Sequence, residues 1–344
     1  MTIPSAHELS TLIADARARG DKRALADALE HHTRSLLAAA DPGGAALALG
    51  EAAACWRALG EAGREATCLL LAASAHRLAG EGAGAAAAAR KAAHLSLAPP
   101  LARGFALERC EQALARGDAA AAHRCFAAFL DTHGASLEPL LKAQILQRCA
   151  AAAMESACWQ AATESLDEAA SLLDHHGRAA DAEAVRLAAV ASAASADADD
   201  AEARLAAIER TAPQDGAAAA RRGLVGGELA LRAQRFEKAL ERFDRARQGA
   251  LDAGDVLSYY SAALLAARAA EELGDPERAY ARLATAWGSL TDVLGRALAA
   301  EMVRPALLQL RARLGSARFD QAKAGYEALR RQRANATIEK ENGS

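Results

Sequence analysis

Nine histidines and six cysteines are the side chains in this 344-residue chain best suited to hold a metal or attack a substrate. All nine histidines lie before Gly177, and Cys55, Cys68, Cys110, Cys125, Cys149 and Cys158 all lie before Trp159. Such a bias raises a metal or haem site in the N-terminal half. Two ligands on one helix need to sit at i and i+3 or i+4. None of His31, His32, His76, His94, His123, His175 or His176 has a His or Cys partner at that spacing, and His123 and Cys125, two apart, face different directions. There is no CxxC, so the cysteines read as reduced, buried small side chains in apolar helical stretches and not as a disulfide framework. The expectation is no metal and no cofactor.

Other chemistry is equally thin. Gly80, Gly82 and Gly84 superficially suggest a phosphate loop, but they follow a helical stretch, lack a Lys-Ser/Thr and lead into five alanines, which reads as a hairpin turn. The stretch from Gly134 to Glu138 is not a GxSxG elbow. Glu164, Asp167 and Glu168 share a helical face without a basic partner or apolar pocket in view, so they read as solvated surface. No catalytic residue is identified, and the chain is expected not to be an enzyme.

The elements that must position these residues are helices. About 100 alanines and about 46 leucines, against about eleven Val and Ile together, put the best helix formers in place of strand formers. Seventeen helices are expected between residues 6 and 333, with Gly60, Gly80, Gly117, Gly274 and Gly315 as left-handed caps at their ends. The fold class is all-α. Residues 1–334 are expected to form a single solenoid, which escapes the size limit of one compact core because each layer contacts only its neighbours. Residues 335–344 turn polar and are expected to be a disordered tail. The net charge of −3, with acids and bases interspersed, gives no general grip on nucleic acid or an anionic membrane. Arg outnumbers Lys about 35 to 6, which a GC-rich bacterial coding sequence explains simply. The first ten residues lack the pattern of a secretory signal and no window is apolar enough to span a membrane, so a cytoplasmic protein is expected.

A register runs through the chain. Ala48, Ala85, Ala122, Ala162, Ala201, Ala239, Ala279 and Ala322 recur every roughly 37 to 43 residues, most followed four and seven positions later by residues able to pack in a core. The clearest copies carry Phe236, Ala239, Phe243, Ala246 and Pro276, Ala279, Leu283, Ala286. Trp159, Ala162, Leu166 and Ala169 repeat the pattern, and Ala119, Ala122, Phe126 and Phe129 do so more loosely. Gly227 and Ala267 hold the matching small place in the upstream helix. This pattern resembles the tetratricopeptide repeat, in a long, about 40-residue variety similar to that of kinesin light chains and MalT-type regulators. The resemblance implies a right-handed α-α superhelix of about eight helical hairpins, the first helix of each lining a concave face.

Carrying the groove positions of that family over implies contacts to a partner from Gln144, Gln147, Glu183, Arg186, Arg221, Glu228, Arg232, Ser261 and Arg268. Of the adjacent Tyr259 and Tyr260, at most one can be buried in the same core, and Tyr259 is taken as the surface aromatic anchor. Tyr280 and Tyr326 are expected to pack between repeats. The function implied is a non-catalytic scaffold or adaptor, in the manner of a chaperone or otherwise, that grips a protein or peptide in the concave groove. The alternative is a ligand- or peptide-responsive regulatory subunit of a bacterial signalling or transcription system, which would need a separate output partner because no helix-turn-helix or P-loop is present. Phe319, Tyr326 and Leu329 leave homo-oligomerisation through the terminal helix open against simple docking on the preceding hairpin.

Overall fold

The computed structural model describes residues 6–196, 198–211 and 215–342. Among them there are α-helices, one 3-10 turn at Gly134–Ser136 and no strand. The chain divides into two compact units, Met1–Ala169 and Ala170–Ser344. Unit 1 holds α1 (Ala6–Arg19), α2 (Lys22–Ala38), α3 (Pro42–Ala58), α4 (Ala62–Leu78), α5 (Gly82–Ala92), α6 (Pro99–Ala115), α7 (Ala119–His133), α8 (Pro139–Glu155) and the start of α9 (Trp159–His175). Unit 2 holds the rest of α9, then α10 (Ala179–Ala196), α11 (Ala198–Thr211), α12 (Gly216–Arg232), α13 (Phe236–Asp252), α14 (Val256–Glu272), α15 (Pro276–Leu294), α16 (Arg296–Leu314) and α17 (Ser316–Asn342). The expected end of α5 at 97 falls back to Ala92, and Ala98, directly before Pro99, is extended. Helix α17 runs to Asn342, past the expected end at 333; residues 343 and 344 of the expected tail lie outside the described residues.

Within each unit, consecutive helices pack, and so do alternate ones: α4 on α6 in unit 1, and α10 on α12, α12 on α14 and α15 on α17 in unit 2. That layering makes each unit a helical-repeat stack. One turn builds most of it. At residues 40, 60 and 80, and again at 234, 254 and 274, the residue two past the helix has positive φ, as does Gly20 directly after α1. The N–H that follows then reaches back to a carbonyl five residues earlier, as in Asp255 to Ala250 at 2.8 Å. This Schellman geometry satisfies the helix-end carbonyls. The same donor residue caps the next helix: Asp21, Asp41, Asp118, Asp255 and Asp275 accept from the N–H three positions on, at 2.8–3.0 Å. Gly60, Gly80, Gly117 and Gly274 have the expected positive φ, whereas Gly315, with φ 77° and ψ 157°, is a one-residue break between two helices.

The register of small residues is the core. All eight alanines from Ala48 to Ala322 are buried. Phe126, Phe243, Leu166 and Leu283, the bulky members that follow, are buried beside them. Gly227 explains why a small residue is needed opposite: a Cβ there would lie 2.3 Å from the Phe243 ring. Phe319 and Tyr326 on α17 pack edge-on against Tyr280, with ring centroids 5.3 and 5.7 Å away. They are engaged within unit 2, and Leu329 stays exposed.

Candidate functional site

The argininyl excess has a structural use. Acid and arginine one hairpin apart pair across neighbouring helices: Glu51 with Arg17 at 2.6 Å, Glu30 with Arg64 at 3.1 Å and Glu108 with Arg77 at 3.1 Å in unit 1. In unit 2 Glu237 pairs with Arg278 at 2.9 Å, Asp244 with Arg282 at 2.6 Å and Glu271 with Arg313 at 2.7 Å. Candidate ligand contacts must therefore be sought among side chains that this lacing leaves unsatisfied.

In unit 1, Gln144 is exposed on α8, and half-buried Gln147 donates to the Ala143 carbonyl at 3.3 Å. In unit 2, Glu228, Arg232, Ser261 and Arg268 are exposed, and Arg232 donates to the Ser195 hydroxyl at 3.2 Å. Arg186 is paired with Asp174. Arg221 is half-buried, its Nε without an acceptor, and lies near enough to Asp255 to favour that carboxylate. Two residues depart from the expectation. Glu183 does not face outward: it is paired at 3.1 Å with Arg222 of α12, both more than nine-tenths buried, because α12 brings a guanidinium against it one repeat later. Tyr259 is not the surface aromatic either; it is 5% exposed in the core of unit 2 and edges only a small hollow of about 70 Å³. Tyr260 is half-buried, and its hydroxyl donates to the Met302 carbonyl.

A cavity that the sequence reading missed lies between α11, α12 and α13. It has a volume of about 260 Å³ and is lined by Glu209, Ala219, Arg222, Gly223, Arg242 and Arg245. A second hollow of about 100 Å³, reaching Arg235, Lys238 and Gly226, shares Glu209 and Arg242 with it. Close approach of the helices shapes the site. A Cβ on Gly223 would stand 2.8 Å from the Ala246 nitrogen and the Arg242 carbonyl, so α12 and α13 meet backbone to backbone. Arg242 reaches both oxygens of Glu209, the Nη2–Oε2 bond being 3.2 Å, yet its buried Nε has no hydrogen-bond partner. Burial, and after it the like charge of Arg245, lower the pKa of Arg242 from its ordinary value. With Glu183 and Glu209 set against Arg222, Arg242 and exposed Arg245, the site carries one positive charge in excess. An acid at 209 and an arginine 33 residues on was the readable signal, once pairs are sought one repeat apart.

Metal chemistry has no assembled centre: among the described residues no group of three or more His, Cys, Asp and Glu could hold an ion. Glu168, from the acidic face noted in the sequence, pairs with Lys142 at 2.5 Å. No helix among the described residues is long and apolar enough to cross a membrane.

No family model matches the sequence, and neither does any curated protein. Among solved structures, the apo form of RapI superposes with a TM-score of 0.55 at 8% identity, over 90% of this chain and 99% of that one. At that identity the likeness is one of fold, and it agrees with the stacked helices and buried small-residue register in showing a TPR-like helical-repeat fold.

Proposed function

We propose that the chain is a non-catalytic scaffold or adaptor for a protein or peptide, and that unit 2 takes a carboxylate of that partner in the cavity between α11, α12 and α13. The observation that carries this reading is a cavity lined by Arg222, Arg242 and Arg245 with Glu209, which with Glu183 leaves one positive charge in excess. Guanidinium groups match carboxylate geometry bidentately, so an Asp or Glu side chain or a chain terminus suits the lining. The volume of about 260 Å³ is below the usual range for drug-sized ligands and ample for such a group. Nine helices of 17 residues, α2, α3, α4, α6, α8, α9, α12, α13 and α14, support assignment to a long-repeat variety of the fold. Pre-formed helices presenting fixed side chains would hold a flexible partner without ordering themselves.

Glu228, Arg232, Ser261 and Arg268 offer a second contact surface, and one experiment separates the two. Fluorescence anisotropy would be measured with an acidic peptide panel in which each peptide has a Glu and a Gln version. The cavity reading expects the Glu versions to bind more tightly, and Arg245→Gln to weaken them about tenfold, or about 1.4 kcal/mol. Arg232→Glu with Arg268→Glu should change little. The reverse pattern moves the contact to the exposed surface, and equal binding of Glu and Gln peptides refutes carboxylate recognition.

A further inference from the structure

Cys110 on α6 and Cys125 on α7 flank the turn at Gly117, and their sulfurs are 2.6 Å apart. Unbonded heavy atoms rest at roughly 3.5–4.0 Å. A disulfide needs about 2.05 Å. The pair is thus well inside the first distance and near the second. Cys110 is fully buried and Cys125 half-buried, so only one of the two meets solvent. The expectation of six reduced, buried cysteines fails in its burial at Cys158, which is exposed. We propose that Cys110 and Cys125 are a modification site: a dithiol that hydrogen peroxide converts to a disulfide, stapling the α6–α7 hairpin.

The order of steps follows from exposure. The Cys125 sulfur, as thiolate, attacks one peroxide oxygen; the O–O bond breaks, and the departing hydroxide takes a proton and leaves as water. Cys125 is now a sulfenic acid. Cys110 loses its proton, its sulfur attacks the Cys125 sulfur, and the S–O bond breaks with a second water leaving. Two thiols have lost two electrons and one peroxide has become two waters. Burial, and next the neighbouring Cys125, push the Cys110 thiol up, so Cys110 does not make the first attack on peroxide and acts only on the oxidised Cys125 beside it. Cys68, pushed up to about 12 by burial and by Glu30, has neither exposure nor a facing thiol and serves as an unreactive reference.

The test uses the full chain, reduced and then exposed to hydrogen peroxide, followed by alkylation in denaturant and peptide mapping by mass spectrometry. The expected result is a Cys110–Cys125 cross-linked peptide lighter by two hydrogens, both cysteines lost to alkylation, and a higher Tm that reductant reverses. In Cys125→Ala, checked for folding by circular dichroism, Cys110 should remain alkylatable after the same treatment. Recovery of both thiols when exposed Cys158 has already been oxidised overturns the proposal. So does Cys125 halted at sulfinic acid beside a free Cys110.

Discussion

Three helix ends violate the rule that the others obey, and the violation has a predictable sign. Ala40, Ala157 and Gln234 occupy the turn position with φ of 57°, 58° and 57°, where Gly254 and its counterparts stand elsewhere. A left-handed conformation costs an L-residue roughly 1–2 kcal/mol. Glycine removes that strain but returns about 0.4–1 kcal/mol of unfolded-state entropy. All three side chains are exposed, so truncation forfeits no packing. Each change to glycine should therefore stabilise by about 0.5–1 kcal/mol. Ala40 and Ala157 both lie in unit 1, and the double variant should gain about 1–2 kcal/mol, a Tm rise of roughly 3–6 °C for a unit of this size. Gly254→Ala should lose about 1 kcal/mol with no clash, since nothing lies within 4 Å of the added Cβ. Ala79→Gly, at φ −78° one residue before such a turn, should lose about 0.5–1 kcal/mol. Urea unfolding followed by circular dichroism reads all of these. If Ala40→Gly and Ala79→Gly shift the midpoint in the same direction, backbone sign is not what governs these turns.

Gly227→Ala should destabilise by about 1–3 kcal/mol through its clash with Phe243, whereas Gly288→Ala on α15, with open space around it, should stabilise by about 0.5–1 kcal/mol; thermal unfolding compares them. Asp255 is held below the ordinary carboxylate value by the Ser258 hydroxyl and N–H, so its cap on α14 is fully present above about pH 3.9 and lost as pH falls through the lower folded value. Asp255→Ala should cost about 1 kcal/mol at pH 7, and its deficit in urea midpoint should close as pH falls below that lowered value. Trp56→Phe removes the 2.7 Å bond from the indole Nε1 to Glu30 and should cost about 1.5–3 kcal/mol by the same measurement, with Arg64 still holding the carboxylate.

Helices were legible because their signals are local. Proline and glycine punctuation, caps and the period of small residues act within one or two turns, and they place Ala239, Phe243 and Gly227 in the core as the packing requires. The candidate site was less legible because a groove position read from pattern says only which way a residue points, not what meets it there. Glu183 points toward α12 and finds Arg222. Tyr259 and Tyr260 are equivalent on paper, and only the neighbouring helices decide that Tyr259 is buried and that Tyr260 reaches the Met302 carbonyl. The 2.6 Å approach of Cys110 to Cys125 was likewise hidden, because two residues fifteen apart meet only once the Gly117 turn folds α7 back on α6.

The ion-pair lacing changes how charge in such a stack should be read. An arginine that faces an acid on the next hairpin contributes modestly to stability when exposed, but it fixes the offset between neighbours, since a shift of one helical turn breaks the pair. Arg64 shows how far this goes: its guanidinium pairs with Glu30 and Asp27 and lies 3.7 Å over the Trp56 ring, using its charge, its donors and its plane within unit 1. Arginines so occupied are poor candidates for ligand recognition, because a ligand must first replace bonds already made. Arg242 and Arg282 each leave one atom over. The terminal nitrogens of Arg242 are used on Glu209 while its Nε–H is buried and unanswered, as is that of Arg282, and Arg242 lines a cavity where Arg245 adds a charge. What marks Arg242 is its setting, a cavity whose excess positive charge the carboxylate of the proposed partner would balance.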